Sequence, residues 1–182
     1  MSSPADDPLH ARLDELLASF DAALGADAAG YRGHVHRVGG LVLAQARGVL
    51  TAQEREQLAV ALVFHDLAIW LDGTFDYLGP SADRAAEHLR ARGHPDWVPR
   101  VRRMIDRHHQ VRPVRDDALV EALRRADLCD VSLGAVHRGI PSGTWRMLRT
   151  RWPVAGFHLR LVQFAVRQTF QHPLRPLPML RW

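Results

Sequence analysis

The stretch 58–70, LAVALVFHDLAIW, most constrains how this chain can fold, because seven consecutive apolar residues run directly into an adjacent histidine and aspartate, His65 and Asp66. A run of this kind is typical of a central helix that is buried on nearly all sides. A carboxylate at its end is costly to bury unless a cation or hydrogen-bond donors compensate the charge. One divalent metal ion compensates a neighbouring histidine and aspartate together, so the stretch suggests a buried metal site.

The composition indicates one domain with a sizeable core. The chain has 182 residues, of which 47% are hydrophobic, and no shift in composition marks a second domain. We expect a single domain over 1–182, with a core at about 28–133 that carries the motifs and covering helices at 134–182. No apolar run approaches the roughly 18 residues of a membrane span. A single cysteine, Cys129, excludes an internal disulfide and a thiolate metal cage. We therefore expect a soluble cytoplasmic protein without a membrane partner.

The excess of basic residues does not predict nucleic-acid binding. The net charge is only +4, and all 24 basic residues are arginine. These arginines are interleaved with aspartate and glutamate along the chain instead of being concentrated on one element. This distribution is typical of a compositional bias, so we do not expect nucleic acid as a partner.

Apolar residues recur at helical spacing along most of the chain, which predicts an all-α bundle of about six to eight helices. The third helix has a clear start, because Thr51 and Glu54 have the spacing of a capping box. Ser81 is a good N-cap for the helix that follows it. The predicted helices span 8–25, 31–47, 51 to the end of the apolar run, 81–92, 97–109, 116–128, 145–152 and 157–170.

Two histidines lie on the predicted apolar faces. His34 shares the apolar stripe of helix 31–47, whereas His36 falls on another side of the same helix. His108 lies on the apolar stripe of helix 97–109, so we expect His108 rather than His109 to face inward. A lone histidine on such a face is often a core residue with a hydrogen-bond partner, so neither is a metal ligand on this evidence alone.

Asp127 continues the apolar line of helix 116–128, and a carboxylate in that position needs a partner. Arg124 and Arg125 are one structural answer, and a metal is another. Asp130 lies three residues on and shares the same face.

The loop 71–80, LDGTFDYLGP, follows the His-Asp pair and is expected to form a rim or lid over whatever the pair binds. Phe75 and Tyr77 are too apolar for a purely solvated connection. Asp72 and Asp76 either face a substrate or are simple turn formers. Further along, 134–182 either covers the core or offers a partner surface around Trp152 and Trp182.

The order of these polar residues resembles the HD-domain superfamily of metal-dependent phosphohydrolases. The spacing is 31 residues from His34 to His65 and 61 residues from Asp66 to Asp127. The matching stretches are HVHRV at 34–38, FHDLAIW at 64–70, MIDRHH at 104–109 and LRRADLCD at 123–130. The resemblance implies an all-α HD-type bundle in which His34, His65, Asp66 and Asp127 bind one divalent ion.

The resemblance also implies a reaction. A metal-activated water attacks the phosphorus of a small phosphorylated metabolite or nucleotide, and Asp66 and His108 take part in catalysis. The mixed ligands suit Mn, Fe, Co, Ni, Zn or Mg. Arg37 and Arg112 are candidates to clamp the phosphate, and Asp72 is a further candidate substrate contact. Each of these three is equally explained as an ordinary surface or turn residue.

Some family substrates are not supported by the sequence. Ile69 and Trp70 occupy places where members that hydrolyse the stringent-response nucleotide carry acidic residues. Members that act on deoxynucleoside monophosphates likewise use an acid just after the His-Asp pair. We therefore expect neither of these two substrates.

Several alternatives remain open from the sequence. A second metal is possible, with His88, His108 and His109 as candidate ligands and Asp130 as a ligand or a partner to one. Two irons would suit an oxygenase of the dinuclear HD type. A non-catalytic protein that uses the site to bind a ligand, a homo-oligomer, and a helical protein without any site also remain possible.

Overall fold

The computed structural model describes residues 3–46, 49–175 and 178–180, and within them the chain is 70% helix with no strand. The all-α prediction is confirmed. The α-helices are α1 (Leu9–Leu17), α2 (Asp21–Leu24), α3 (Ala28–Leu43), α4 (Ala52–Phe64), α5 (Leu67–Asp72), α6 (Leu78–Ala91), α7 (Val98–Arg107), α8 (Ala118–Val131), α9 (Thr144–Arg151) and α10 (Phe157–Gln171).

Helix α4 lies at the centre of the bundle, as the apolar run predicts. The capping box is present, since the Glu54 amide donates to Thr51 Oγ1 and the Thr51 amide donates to the Glu54 carboxylate, each at 3.1 Å. The residues of 58–63 are buried on every side of the helix. Helices α1, α3, α6 and α7 pack around α4, so its C-terminal end emerges inside the protein.

Helix α3 approaches the C-terminal part of the chain unusually closely, because glycines line its outer face. A Cβ atom on Gly33 would lie 2.6 Å from the carbonyl oxygen of Pro153. A Cβ atom on Gly30 would lie 2.9 Å from the carbonyl oxygen of Ala155. The glycines therefore allow the connection between α9 and α10 to lie directly on α3, beside His34.

Two predicted helices have different bounds in the structure. The helix expected over 8–25 is broken after Leu17 by a 3₁₀ turn, and the short α2 then ends at Gly25, whose φ is +53°. The break turns the chain so that Phe20 packs edge-on against Phe64, with ring centroids 5.4 Å apart. The helix expected over 31–47 begins three residues earlier and ends at Leu43, and Arg47 lies outside the described residues.

The predicted N-cap at Ser81 is wrong. Helix α6 begins at Leu78, and Ser81 is buried in its first turns. The Ser81 hydroxyl accepts a hydrogen bond from the Ala68 amide at 3.2 Å, so it satisfies a buried amide in the first turn of α5. Because α5 takes up the start of the expected loop, the connection shortens to 73–77.

The C-terminal helices cover the core, and Trp152 is less exposed than the sequence suggests. Trp152 is half-buried and stacks on His36 and His10, at centroid distances of 4.9 and 4.3 Å. This stacking also buries His36, which therefore lies inside the protein together with His34. Trp182 lies outside the described residues. No helix in the described ranges is long and apolar enough to cross a membrane.

We expect Gly33→Ala to destabilise the protein by about 1–3 kcal/mol, because the added methyl group collides with backbone atoms that cannot rotate away. Gly79→Ala is the matched control, since a Cβ atom there meets open space within α6. That control should change the free energy of unfolding by less than about 1 kcal/mol, because its better helix propensity is opposed by Pro80, which disfavours helical backbone in the residue before it. Urea unfolding measures both changes, and equal effects would contradict the close approach at Gly33.

Candidate metal centre

Four side chains from three parts of the bundle meet at one buried point. His34 projects from α3, His65 caps the C-terminus of α4, Asp66 lies between α4 and α5, and Asp127 projects from α8. All four are buried, and one nitrogen or oxygen atom from each lies within 4.8 Å of the others. The structure thus brings together the four residues that the sequence selects.

The end of α4 explains how two adjacent residues can face one point. Residues next to each other in a helix diverge by about 100°. His65 still has helical dihedral angles, but Asp66 has φ −112° and ψ 0°, so the helix ends there. The His65 Nε2 atom and the Asp66 Oδ2 atom are consequently only 3.6 Å apart.

The hydrogen bonds of the two imidazoles fix which nitrogen carries the proton. His65 Nδ1 donates to the carbonyl oxygen of Leu62 at 2.7 Å, and His34 Nδ1 donates to the carboxylate of Asp130 at 2.8 Å. The two Nε2 atoms therefore face each other 3.0 Å apart, where they can share a proton or bind a metal ion. The buried carboxylate oxygens of Asp127 also lack a hydrogen-bond donor. Acceptor atoms converge here, and one cation could compensate the charge and the missing hydrogen bonds of all of them.

The separations between the acceptor atoms fit one metal ion. His34 Nε2 lies 3.6 Å from Asp66 Oδ2 and 3.6 Å from Asp127 Oδ1. His65 Nε2 lies 3.8 Å from Asp127 Oδ1. A four-coordinate ion with bonds of about 2.0–2.2 Å holds its ligand atoms roughly 3.3–3.6 Å apart. The measured separations of 3.0–3.8 Å lie on both sides of that range, so adjustment of the side chains would let these residues hold one divalent ion.

The pKa values show that the site attracts positive charge. Burial lowers the pKa of His34, but the hydrogen bond to Asp130 and the carboxylate of Asp66 outweigh burial and raise this pKa to about 9. Burial raises the pKa of Asp66, but the imidazoles of His65 and His108 outweigh it and hold this pKa well below its ordinary value. The site thus keeps its carboxylates ionised and favours a cation between them.

Asp130 holds His34 in place. The Asp130 carboxylate accepts hydrogen bonds from His34 Nδ1, from Arg37 Nε at 2.6 Å and from Trp145 Nε1 at 2.7 Å. Phe157 stacks on the His34 ring at a centroid distance of 4.1 Å. A carboxylate that accepts the Nδ1 proton of a histidine fixes its tautomer and orientation, and Asp130 has this relation to His34. The sequence places Asp130 on the right face but does not identify the contacts of Trp145 and Phe157.

The predicted role of Arg37 as a phosphate clamp is not supported by its position. Arg37 is completely buried, and its guanidinium donates to Asp130 and to the carbonyl oxygens of Trp152 and Pro153, both at 3.0 Å. Four of its five N–H donors make these bonds, and the buried side chain would have to break them to turn toward a substrate. Arg37 instead neutralises the buried charge of Asp130.

Three other predicted site residues lie away from the four ligands. Arg112 is exposed and is bonded through its own carbonyl oxygen to Gln110. Asp72 forms a bidentate ion pair with Arg84, at 2.7 and 2.9 Å. His88 packs edge-on against Phe64 and belongs to neither group of candidate metal ligands among the described residues.

A second group of possible ligands flanks Asp66 on its other side. His108 Nδ1 donates to the carbonyl oxygen of Ile105 at 2.6 Å, so His108 Nε2 is the nitrogen that faces Asp66, 3.2 Å from its Oδ1 atom, where it can hold a proton or bind a metal ion. His109 Nδ1 lies 3.4 Å from Asp127 Oδ2. Both histidines therefore reach the site. The sequence offers both as candidate ligands of a second metal, but its expectation that only His108 faces inward is wrong. Asp66 offers one oxygen to each group of ligands.

Tyr77 is a site residue whose role the sequence does not reveal. Its hydroxyl lies 2.6 Å from His109 Nε2 and 3.4 Å from His108 Nε2. Burial and the nearby Asp66 carboxylate raise the pKa of Tyr77 well above its ordinary value, so its hydroxyl keeps its proton. Burial and His108 lower the pKa of His109 to about 4, so His109 is neutral and accepts that hydrogen bond. The only signal in the sequence is the apolar character of the loop.

No protein-family model, no curated protein and no solved structure matches this chain. The chemistry of the residues therefore has to carry the functional assignment.

We expect Asp130→Asn to lower the affinity for a divalent metal by about 10–100-fold, because His34 loses the carboxylate that fixes its tautomer. Glu121→Gln is the matched control on the same helix. Glu121 is a buried carboxylate that pairs with Arg124 and Arg125, each at 2.7 Å, and it contacts none of the four ligands. Metal titration followed by calorimetry measures the affinities.

Both substitutions should lower the melting temperature, since each removes a charge from a buried ion pair. Only Asp130→Asn should weaken metal binding. An equal loss of affinity in Glu121→Gln would show that general destabilisation, and not the orientation of His34, explains the effect.

Proposed function

We propose that this chain is a metal-dependent phosphohydrolase of the HD-domain type. The observation that carries the proposal is the convergence of lone-pair atoms from His34, His65, Asp66 and Asp127, at separations that suit one divalent ion. When bound, such an ion supplies an activated water and neutralises the charge of a phosphoryl group. The mixture of imidazole and carboxylate is compatible with Mn, Fe, Co, Ni, Zn or Mg.

The residues around the ligands provide orientation and hydrogen bonds. Asp130 fixes the ring of His34 through its Nδ1 proton. His109 lies between Asp127 and Tyr77, and its Nε2 accepts a hydrogen bond that holds the Tyr77 hydroxyl in place. Tyr77 keeps its proton, and its hydroxyl is placed to hydrogen-bond a departing oxygen.

The second group of ligands supports an extension of the same proposal. Asp66 Oδ1 and His108 Nε2 face each other at 3.2 Å with no hydrogen bond to the oxygen. This gap suits a second divalent ion held by Asp66, His108 and His109, or a proton on His108 that contacts the phosphoryl group. A pair of irons here would instead favour the dinuclear oxygenase.

Elemental analysis of the purified protein, followed by assays of a phosphoester panel with each of the six metals, tests the proposal. We expect at least one divalent ion per chain and release of inorganic phosphate with at least one of these metals. Two irons per chain together with oxygen consumption would contradict hydrolysis and support the oxygenase. Bound metal without turnover of any phosphoester would support a ligand-binding role instead.

We expect the double substitution His65→Ala with Asp66→Ala to lower metal affinity more than about 100-fold, because it removes two of the four ligands. Asp127→Asn is a second variant that keeps the side-chain volume and should also lose metal. His88→Ala is the control, since His88 is a half-buried histidine outside both groups of ligands. Unchanged metal content in both ligand variants would refute the proposed site.

A further inference from the structure

A cavity of about 220 Å³ opens beside Asp66, between α5, the loop 73–77 and α10. Its polar end is formed by Asp66, Tyr77 and His109. The rest of its wall is apolar, and includes Ile69, Phe75, Val131, Leu161, Ala165 and Met179. A ligand that reaches Asp66 through this cavity therefore contacts polar groups at one end only.

No positively charged side chain lines the cavity among the described residues, although the chain contains 24 basic residues. Arg37 is hydrogen-bonded to Asp130, and Arg112 is exposed and does not line the cavity. Sites for nucleotides and other polyanions surround each phosphate with arginine, lysine or backbone amides. Here the charge of a ligand is balanced only at the end beside Asp66, where the proposed ion lies. The ligand should therefore carry one anionic group.

The size and chemistry of the walls limit the remainder of the ligand. The cavity is smaller than the roughly 300–1,000 Å³ of sites for drug-sized molecules. Each methylene group that moves from water to such walls strengthens binding by about three- to fourfold. A hydroxyl or amide group of the ligand that finds no hydrogen-bond partner there weakens binding. These walls consequently favour a short hydrocarbon body over a sugar or a nucleoside.

We propose that the substrate is the phosphate monoester of a small apolar alcohol, with the phosphate beside Asp66 and the alcohol group among Phe75, Leu161 and Met179. This inference rests on the proposed phosphohydrolase function and narrows its substrate class. Hydrolysis breaks the bond between phosphorus and the alcohol oxygen and forms a bond from phosphorus to the oxygen of water. A proton from that water ends on the alcohol oxygen. The neutral alcohol is then left in the apolar part of the cavity.

Binding of alkylphosphonates tests the substrate class independently of turnover, because their carbon–phosphorus bond is not hydrolysed. Calorimetry on the Mn²⁺-loaded protein compares methyl-, ethyl-, propyl- and butylphosphonate with adenosine monophosphate. We expect affinity to rise about three- to fourfold for each added methylene group, and butylphosphonate to bind at least about tenfold more tightly than the nucleotide. A flat series, or tighter binding of the nucleotide, would overturn the inference.

The same series separates the two proposals. If affinity rises with chain length but the corresponding alkyl phosphates are not hydrolysed with any of the six metals, the ligand class is supported and the phosphohydrolase proposal fails. If phosphoesters are hydrolysed but the nucleotide is preferred, the phosphohydrolase proposal is supported and the ligand class fails.

A substitution in the wall locates the alkyl group. Ala165→Leu narrows the cavity, so butylphosphonate should bind about tenfold more weakly while methylphosphonate changes less than about twofold. Val166→Leu is the matched control, because Val166 is the next residue, is 49% exposed and does not line the cavity. An equal loss for every chain length in Ala165→Leu, or the same selective loss in Val166→Leu, would place the alkyl group outside the cavity and overturn the inference.

Discussion

Buried Asp130 connects four helices through its carboxylate and its carbonyl oxygen, and it orients His34 of the candidate metal centre. From α8 it accepts hydrogen bonds from His34 and Arg37 of α3 and from Trp145 of α9, while His158 of α10 donates to its carbonyl oxygen. Because an uncompensated buried charge costs about 3–5 kcal/mol, Asp130 and Arg37 have to stay together. The same ion pair that joins α3 to α8 therefore also sets the direction of His34 Nε2.

The close packing of the C-terminal connection completes this arrangement. Gly30 and Gly33 let the backbone of the connection lie on α3, which brings Phe157 onto the ring of His34. Helix α10 then continues across the site, and Leu161 and Ala165 close the apolar side of the cavity. The covering helices thus contribute directly to the environment of the candidate metal centre.

The sequence predicts the parts of the site that depend on helical periodicity. It does not predict side-chain positions that depend on contacts between residues far apart in the chain. The capping box at Thr51 and the placement of His34 and Asp127 on apolar stripes follow from local rules, and the structure has them. Arg37 is different, because its partner lies 93 residues away and nothing local shows that the side chain is buried. The position of Tyr77 likewise depends on how the loop folds back onto α7, which no periodicity encodes.

Anomalous diffraction from crystals of the metal-loaded protein tests whether these four side chains bind one metal ion. We expect a strong anomalous peak bonded to Nε2 of His34 and His65 and to carboxylate oxygens of Asp66 and Asp127, with Asp130 still hydrogen-bonded to His34. Anomalous density at another place would contradict this prediction. So would a structure, from crystals grown at a saturating metal concentration, in which only protons and water join these side chains.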